Sequence, residues 1–197
     1  MKRKSNEAAA RLIEKAKKFI DNSATPGERF VKACGLAAVS NVAPIGVPSA
    51  PFEFSMVEDI INGKIPLPVP AGDIYGAASR ARNVFYVADN AGEIGFDSLV
   101  ISLLKKMGAK VTLAVKEGPF FDDATLEDAR YFGLEQIADA VRCVKGGIFV
   151  PEATDAELSQ LLRVHFARAV GQRAVGLLRL GERGDIADAR RAGQQHG

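Results

Sequence analysis

The amino-acid sequence predicts an α/β fold with three layers, α/β/α, around a parallel-type sheet, and an N-terminal helical subdomain. Two short apolar runs rich in β-branched and aromatic residues, at 84–88 and 110–115, have the composition of buried strands. Helix-period segments separate the strand-like runs, so the order is β-α-β-α-β with crossovers long enough for parallel strands. Residues 1–82, in contrast, hold only helical patterns and proline-rich breaks.

Three regions follow from these patterns. A chain of 197 residues is expected to fold around one core, with room for a small subdomain. We predict a helical subdomain at 1–72 and an α/β metal-binding domain at 73–162. Residues 163–197 form an atypical tail rich in Arg, Ala and Gly.

Helices dominate the predicted N-terminal subdomain. Its first segment has Leu12, Ala16 and Ile20 at helical spacing with Lys and Glu between them, which is typical of an amphipathic helix. Three prolines make the stretch at 40–51 a loop. We predict helices at 2–22, about 28–39, 54–61 and 73–82.

The predicted α/β domain begins at Asn83. Continuous apolar runs indicate strands that are buried on both faces, and Gly108 ends the helix between the first two of them. We predict strands at 84–88, 110–115 and 141–144, and helices at 92–107 and 125–133. In a parallel sheet of this kind, ligands bind at the carboxyl ends of the strands.

The overall composition excludes several classes of function. A net charge of +2 is not that of a nucleic-acid-binding protein. Cys34 and Cys143 are far apart in sequence and have no CxxC partner, so we predict reduced thiols in a cytoplasmic protein and no zinc site. The basic N-terminus leads into a helical pattern and not into a signal peptide, and no stretch reaches the ~20 apolar residues of a membrane span.

A first polar motif, residues 89–93, follows the first strand directly. Asp89 supplies a carboxylate and Asn90 an amide oxygen, a set of hard donors suited to Mg²⁺ or Mn²⁺. Glu93 and Asp97 are four residues apart and share one helix face, where either could be a general base or support the site from behind. When the motif is taken alone, helix capping and turn formation are the favoured explanation of the same residues.

A second acidic motif follows the next strand. Neighbouring parallel strands lie ~4.8 Å apart, so Asp123 is expected to converge with Asp89 on one metal ion. Lys116, just after its strand, could neutralise a phosphoryl oxygen. The alternatives are that Asp122 or Asp123 caps the following helix and that Lys116 is a solvated surface lysine.

Together the two motifs resemble a known family. DNAGEIGFD (89–97) and VTLAVKEGPFFDDATLEDA (111–129) are similar to the patterns DNAGE(I/V)xFD and (K/R)xGPxxNDAT of the metal-dependent damage-control phosphatases. The resemblance covers residues 2 to about 160. It implies an α/β/α fold and hydrolysis of small phosphomonoesters, such as sugar phosphates or damaged phosphometabolites, with Mn²⁺, Co²⁺, Ni²⁺ or Mg²⁺ as cofactor.

The resemblance also implies roles for single residues. Asp89, Asn90 and Asp123 correspond to the metal ligands, while Asp122 stands where the family has Asn and adds a negative charge. Asn41 matches a family asparagine and is expected to face the site and contact the substrate. Pro44 replaces an acidic residue of that loop, and a plain turn role for Asn41 is an equal alternative.

The tail departs from the family in composition and in motif. Seven of the 14 arginines but none of the 12 lysines lie at 163–197, and the expected segment AKGxxNxE, whose lysine helps to hold the phosphate, is absent from 164–176. We interpret the tail as the product of a frameshifted or truncated reading frame, with the domain ending near Leu162. The alternatives to an active phosphatase are therefore a catalytically weak metal-binding remnant and, third, a carboxyl methyltransferase, for which no GxGxxG-like loop is present.

Overall fold

The computed structural model describes residues 2–41, 54–69, 72–118, 121–145 and 176–179. Seven helices and four strands lie in these ranges. The helices are α1 (Lys2–Asp21), α2 (Pro26–Val39), α3 (Ser55–Ile61), α4 (Ile74–Arg80), α5 (Glu93–Lys106), α6 (Leu126–Tyr131) and α7 (Leu134–Ile137). The strands are β1 (Asn83–Val87), β2 (Lys110–Lys116), β3 (Ala140–Val144) and β4 (Gly176–Arg179).

The four strands form one sheet in the order β3-β2-β1-β4. β1 pairs in parallel with β2, and β2 pairs in parallel with β3, as the order β-α-β-α-β predicts. β4 adds an antiparallel strand beside β1, which the sequence patterns did not predict. The α/β fold class is confirmed, and the described strands form a parallel sheet with one antiparallel edge strand.

All the described helices that reach the sheet cover one of its faces. Val84 and Tyr86 of β1, together with Leu113 of β2, point into a core that also holds residues of α1, α2 and α5. α5 lies against β2 and carries α1 and α2 on its outer side. The helices of the predicted N-terminal subdomain therefore share one continuous core with the sheet, and the predicted boundary at residue 72 remains a prediction.

The opposite face of the sheet is also covered. Phe85 and Ala114 alternate with the residues of the first face, are fully buried, and lie outside the core described above. This burial on both faces explains why the strands read as continuous apolar runs. Residues 146–162 of the predicted α/β domain, the loop around Pro44 and the tail other than 176–179 lie outside the described residues.

Local capping chemistry fixes several helix starts. Thr25 accepts a hydrogen bond from the Glu28 amide, and Pro26 occupies the first helical position of α2. Asp128 accepts from the Thr125 backbone amide and hydroxyl at the start of α6, each at 2.8 Å. The cap of this helix is thus Thr125, so the alternative that Asp122 or Asp123 caps it is wrong.

One helix prediction needs correction. The single helix predicted at 125–133 is two short helices, α6 and α7. Gly133 lies between them with a φ of +70°, a left-handed conformation that ends α6. The predicted helix ends correctly at Gly133, but the prediction does not include α7, which begins directly after it.

Both cysteines are unpaired, as predicted. Cys34 is buried and Cys143 is exposed. Burial, helped by the nearby charge of Asp97, raises the pKa of the Cys34 thiol to about 12, so this thiol stays protonated at neutral pH. Within the described ranges, no helix is both long enough and apolar enough to cross a membrane.

Candidate metal site

Two loops meet at the carboxyl end of the parallel strands. We call residues 89–92, between β1 and α5, the Asp89 loop, and residues 121–125, before α6, the Asp123 loop. Two backbone hydrogen bonds join them, Ala91 N to Asp122 O and Ala124 N to Asp89 O, each at 2.7 Å; together they form an antiparallel bridge between Asn90 and Asp123. The loops that carry the predicted ligands are therefore hydrogen-bonded to each other.

Side chains of the Asp89 loop form a short hydrogen-bonded chain with Asn41. The Asn41 amide Nδ2 donates to Asp89 Oδ2 at 2.9 Å. The Asn90 Nδ2 donates to Glu93 Oε2 at 3.1 Å and lies 3.4 Å from Asn41 Oδ1. Because the Asn90 nitrogen is committed to these acceptors, its carbonyl oxygen is the atom that could bind a cation. Asn41, predicted to face the site, does contact it.

The predicted lysine lies at the end of β2, beside the Asp123 loop. Lys116 is only 8% exposed, and its Nζ lies 3.9 Å from Asp123 Oδ2. Burial raises the pKa of Asp123, the charge of Lys116 opposes this effect, and the charges of Asp89 and Asp122 add to it. The alternative of a solvated surface lysine is therefore wrong: Lys116 is buried beside an acidic cluster.

The two predicted proton acceptors occupy successive turns of α5. Glu93 is 5% exposed and Asp97 is 2% exposed. Burial raises the pKa of both carboxyl groups; Asp97 and Asp89 raise that of Glu93 further, and Asp89 raises that of Asp97. Only Glu93 reaches the Asp89 loop, through its hydrogen bond with Asn90.

Asp97 is instead held by a tyrosine that the sequence did not single out. The hydroxyl of Tyr86, on the central strand β1, donates to Asp97 Oδ1 at 2.6 Å, and both side chains are buried. This hydrogen bond favours the charged carboxylate and so works against the rise in the pKa of Asp97. The Tyr86 hydroxyl thus stabilises a buried acid directly beneath the site.

We expect Tyr86→Phe to lower the free energy of unfolding by about 1–3 kcal/mol, because the buried Asp97 carboxyl would lose its hydroxyl donor. Urea denaturation of both proteins at neutral pH measures the change. Tyr131→Phe is the control, since Tyr131 is 49% exposed and its hydroxyl deletion should leave the stability unchanged. Equal stability of Tyr86→Phe and wild type would contradict this account of the Tyr86–Asp97 contact.

The predicted ligand set fits a divalent cation. Within the described residues, no three side chains of histidine, cysteine, aspartate or glutamate form a cluster that could hold a metal ion. The predicted set has a different composition, two carboxylates and one amide oxygen, which are hard donors that suit Mn²⁺ or Mg²⁺. Burial is the main cause of the raised pKa of Asp123, and the charges of Asp89 and Asp122 add to it, so these carboxyl groups lie close enough to repel one another, which a cation between them would relieve.

Sequence reasoning missed three polar residues that contact these loops. They are Lys2, Ser5 and Asn6, all in the first turn of α1. Ser5 and Asn6 are buried although both are polar. A polar pair on the core-facing side of an amphipathic helix was the available signal, since buried polar groups need hydrogen-bond partners.

Comparison with known proteins finds a matching family model and relatives that are similar in sequence. Residues 1–169 match the sequence model of the damage-control phosphatase ARMT1-like domain. A protein of Pyrococcus horikoshii named damage-control phosphatase is 32% identical over 114 residues, which are 57% of this chain and 39% of that protein. A protein of Archaeoglobus fulgidus with the same name is 31% identical over 140 residues, 71% of this chain and 48% of that protein. The chain thus spans less than half the length of each.

A solved structure shares the fold. The crystal structure of a DUF89 family protein from Pyrococcus horikoshii superposes with a TM-score of 0.61 at 27% sequence identity. The superposition covers 82% of this chain and 55% of that chain. The similarity of fold therefore extends through most of this chain but little more than half of that one.

Proposed function

This chain belongs to the damage-control phosphatase ARMT1-like family, and on that premise we propose that it hydrolyses small phosphomonoesters with the help of a divalent metal ion. Sugar phosphates or damaged phosphometabolites are the proposed substrates, and Mn²⁺, Co²⁺, Ni²⁺ or Mg²⁺ the proposed cofactor. One observation carries the proposal: the Asp89 and Asp123 loops are bonded together with Asp89, Asn90 and Asp123 beside one another and Lys116 behind them.

We assign the residues as follows. Asp89, Asn90 and Asp123 would hold the ion, which when bound supplies a Lewis acid that polarises the phosphoryl group and acidifies water. Asn41 orients the Asp89 carboxylate through its 2.9 Å hydrogen bond. Glu93 keeps the Asn90 amide turned so that its nitrogen faces inward and its oxygen remains available.

Proton transfer and charge neutralisation fall to other residues. Of the two predicted proton acceptors we favour Glu93, because it reaches the Asp89 loop while Asp97 is held by Tyr86. Burial raises the pKa of Glu93 to about 9, so it would accept a proton at neutral pH only where a bound cation lowers that pKa. Lys116 would place a positive charge near a phosphoryl oxygen at the base of the site. The two unpaired cysteines support a reducing, cytoplasmic location.

A second candidate is a chain that binds a metal ion but catalyses weakly. It is favoured by the sequence of 164–176, which lacks the lysine of the expected segment AKGxxNxE. Loss of one charged contact to the transition state costs roughly 10²–10³ in rate, so the two candidates differ in activity and not in metal binding.

The test is hydrolysis of para-nitrophenyl phosphate by the full chain with Mn²⁺, followed by chelation with EDTA and return of Mn²⁺. We expect turnover that EDTA abolishes and Mn²⁺ restores, because the ligand set contributes no chemistry without its cation. Mn²⁺ binding by calorimetry without turnover would favour the weakly catalytic candidate. A chain that neither binds Mn²⁺ nor hydrolyses the ester would exclude both.

A further inference from the structure

The first turn of α1 lies against both loops of the candidate site. Ser5 and Asn6 are 1% and 5% exposed, which is unusual for polar side chains at the start of a helix. Polar groups buried this deeply are normally hydrogen-bonded. The partners here come from the Asp89 loop and from the start of α6, more than 80 positions later in the sequence.

The side chain of Asn6 connects the Asp89 loop with the start of α6. Its Oδ1 accepts from the Gly92 amide at 2.7 Å, and its Nδ2 donates to Asp128 Oδ1 at 2.8 Å. Asp128 in turn accepts a hydrogen bond from the backbone amide of Thr125, which is the last residue of the Asp123 loop. Both ends of the Asn6 amide are therefore used, one on the Asp89 loop and the other on Asp128 of α6, which bonds the last residue of the Asp123 loop.

Two neighbours of Asn6 reinforce the connection. The Ser5 hydroxyl donates to Ala91 O at 3.0 Å in the Asp89 loop. The Lys2 ammonium lies 2.6 Å from Asp128 Oδ2 and donates to the Thr125 hydroxyl at 3.0 Å. Burial acts to raise the pKa of Asp128, but hydrogen bonds from Lys2, Thr125 and Asn6 lower it overall, which keeps this acceptor ionised.

We propose that Asn6 is a positioning residue that sets the register between the Asp89 and Asp123 loops. It acts through Gly92 and Asp128, and the first turn of α1 is thus part of the framework of the site. The proposal rests on the proposed function, because the register matters for holding one cation between two loops. Outside this turn, the two backbone hydrogen bonds of the bridge described above also join the loops. Residues that orient metal ligands from behind affect metal affinity strongly.

Hydrogen exchange without metal tests the register directly. The amides of Ala91 and Ala124 donate across the two loops, and that of Ala88 donates within the sheet, to Ala114 O at 3.0 Å. In Asn6→Ala we expect Ala91 and Ala124 to exchange at least about tenfold faster, with Ala88 much less affected, since local opening exposes only the loop amides. A uniform acceleration of all three amides, or none, would overturn the proposal.

Two further variants separate positioning from general stability. Ile20→Ala, at the opposite end of α1 with Ile20 4% exposed, should destabilise the fold without accelerating the loop amides selectively. Ser5→Ala, a milder change, should accelerate them by a smaller factor than Asn6→Ala, and this keeps the test available if Asn6→Ala does not fold. Selective acceleration in Ile20→Ala equal to that in Asn6→Ala would contradict the role of Asn6.

Exchanging the two partners gives a rescue. The double variant Asn6→Asp with Asp128→Asn retains an acceptor for Gly92 and a donor–acceptor pair between positions 6 and 128, whereas Asn6→Asp alone sets two carboxylates against each other. We expect Asn6→Asp alone to lower the exchange protection of the loop amides and the Mn²⁺ affinity, each by at least about tenfold. The double variant should recover both. Failure of wild type to bind Mn²⁺ would count against the proposed function only, because the exchange result is read without metal.

Discussion

Replacing Asp89 by asparagine is expected to abolish Mn²⁺-dependent hydrolysis while leaving the fold intact. Asp89 lies at the exposed rim of the site, so the change creates no buried cavity, and the Asn41 amide can still donate to the new side-chain oxygen. The variant loses the negative charge that a divalent ion requires from its ligand. We expect Mn²⁺ affinity to fall by at least about 10–100-fold and the rate by roughly 10²–10³ or more.

Without metal, we expect the free energy of unfolding of Asp89→Asn to be equal to that of wild type or higher. The charge of Asp89 raises the pKa values of Glu93, Asp97 and Asp123, which shows that these acids repel one another in the folded chain. Removing one of them relieves that repulsion. Urea unfolding in EDTA and calorimetric titration with Mn²⁺ therefore separate the loss of a ligand from a loss of structure.

Two matched substitutions control for the change of charge. Asp21→Asn makes the same chemical change on the last, exposed residue of α1 and should have no effect. Asp122→Asn removes a charge inside the Asp123 loop and restores the asparagine of the family pattern, so it should retain metal binding. Loss of Mn²⁺ binding in Asp122→Asn equal to that in Asp89→Asn would mean that total charge, not ligation by Asp89, governs the site.

Gly92→Ala is expected to be the most disruptive single methyl group at the site. Gly92 has a φ of +79° and a ψ of −54°, outside the left-handed helical region, and holding an L-residue in so sparsely populated a conformation costs on the order of 1–3 kcal/mol. A Cβ at this position would also lie 2.8 Å from Phe54 Cζ and against the Ser5 hydroxyl. Adding the cost of crowding in a packed interior, about 1–3 kcal/mol, we expect the free energy of unfolding to fall by roughly 3 kcal/mol.

A second glycine isolates the two contributions. Gly63 has a φ of +73° and open space where its Cβ would lie. Gly63→Ala should therefore show the cost of a positive φ without crowding, and the further loss of stability of Gly92→Ala in urea unfolding reports the crowding together with the cost of its ψ of −54°. If Gly92→Ala is no less stable than Gly63→Ala, the close approach of α1 to the Asp89 loop is not as described. Hydrolysis should be lost only in Gly92→Ala.

Much of the fold followed from local signals in the sequence. β1 and β2 were predicted within one residue at each end, because a buried strand is a short apolar run bounded by polar residues. The meeting of the Asp89 and Asp123 loops followed from topology, since the carboxyl ends of adjacent parallel strands share an edge. The metal and catalytic roles of their side chains remain predictions.

The missed features depend on contacts between distant parts of the chain. Ser5 and Asn6 read as ordinary polar positions of an amphipathic helix, because their partners Ala91 and Asp128 lie 86 and 122 positions away. Tyr86 read as one aromatic residue of an apolar strand, because no periodicity reports what its hydroxyl bonds. β4 was missed because it lies in a tail whose composition pointed away from the fold.

The contacts of α1 also bear on how the chain folds. α1 carries a buried polar group whose partner is synthesised some 120 residues later. Contacts with such long sequence separation form late and slow folding, because a large loop must close before they contribute. The site is therefore expected to assemble only as the whole domain folds, so Mn²⁺ binding during refolding would report complete folding and not an intermediate.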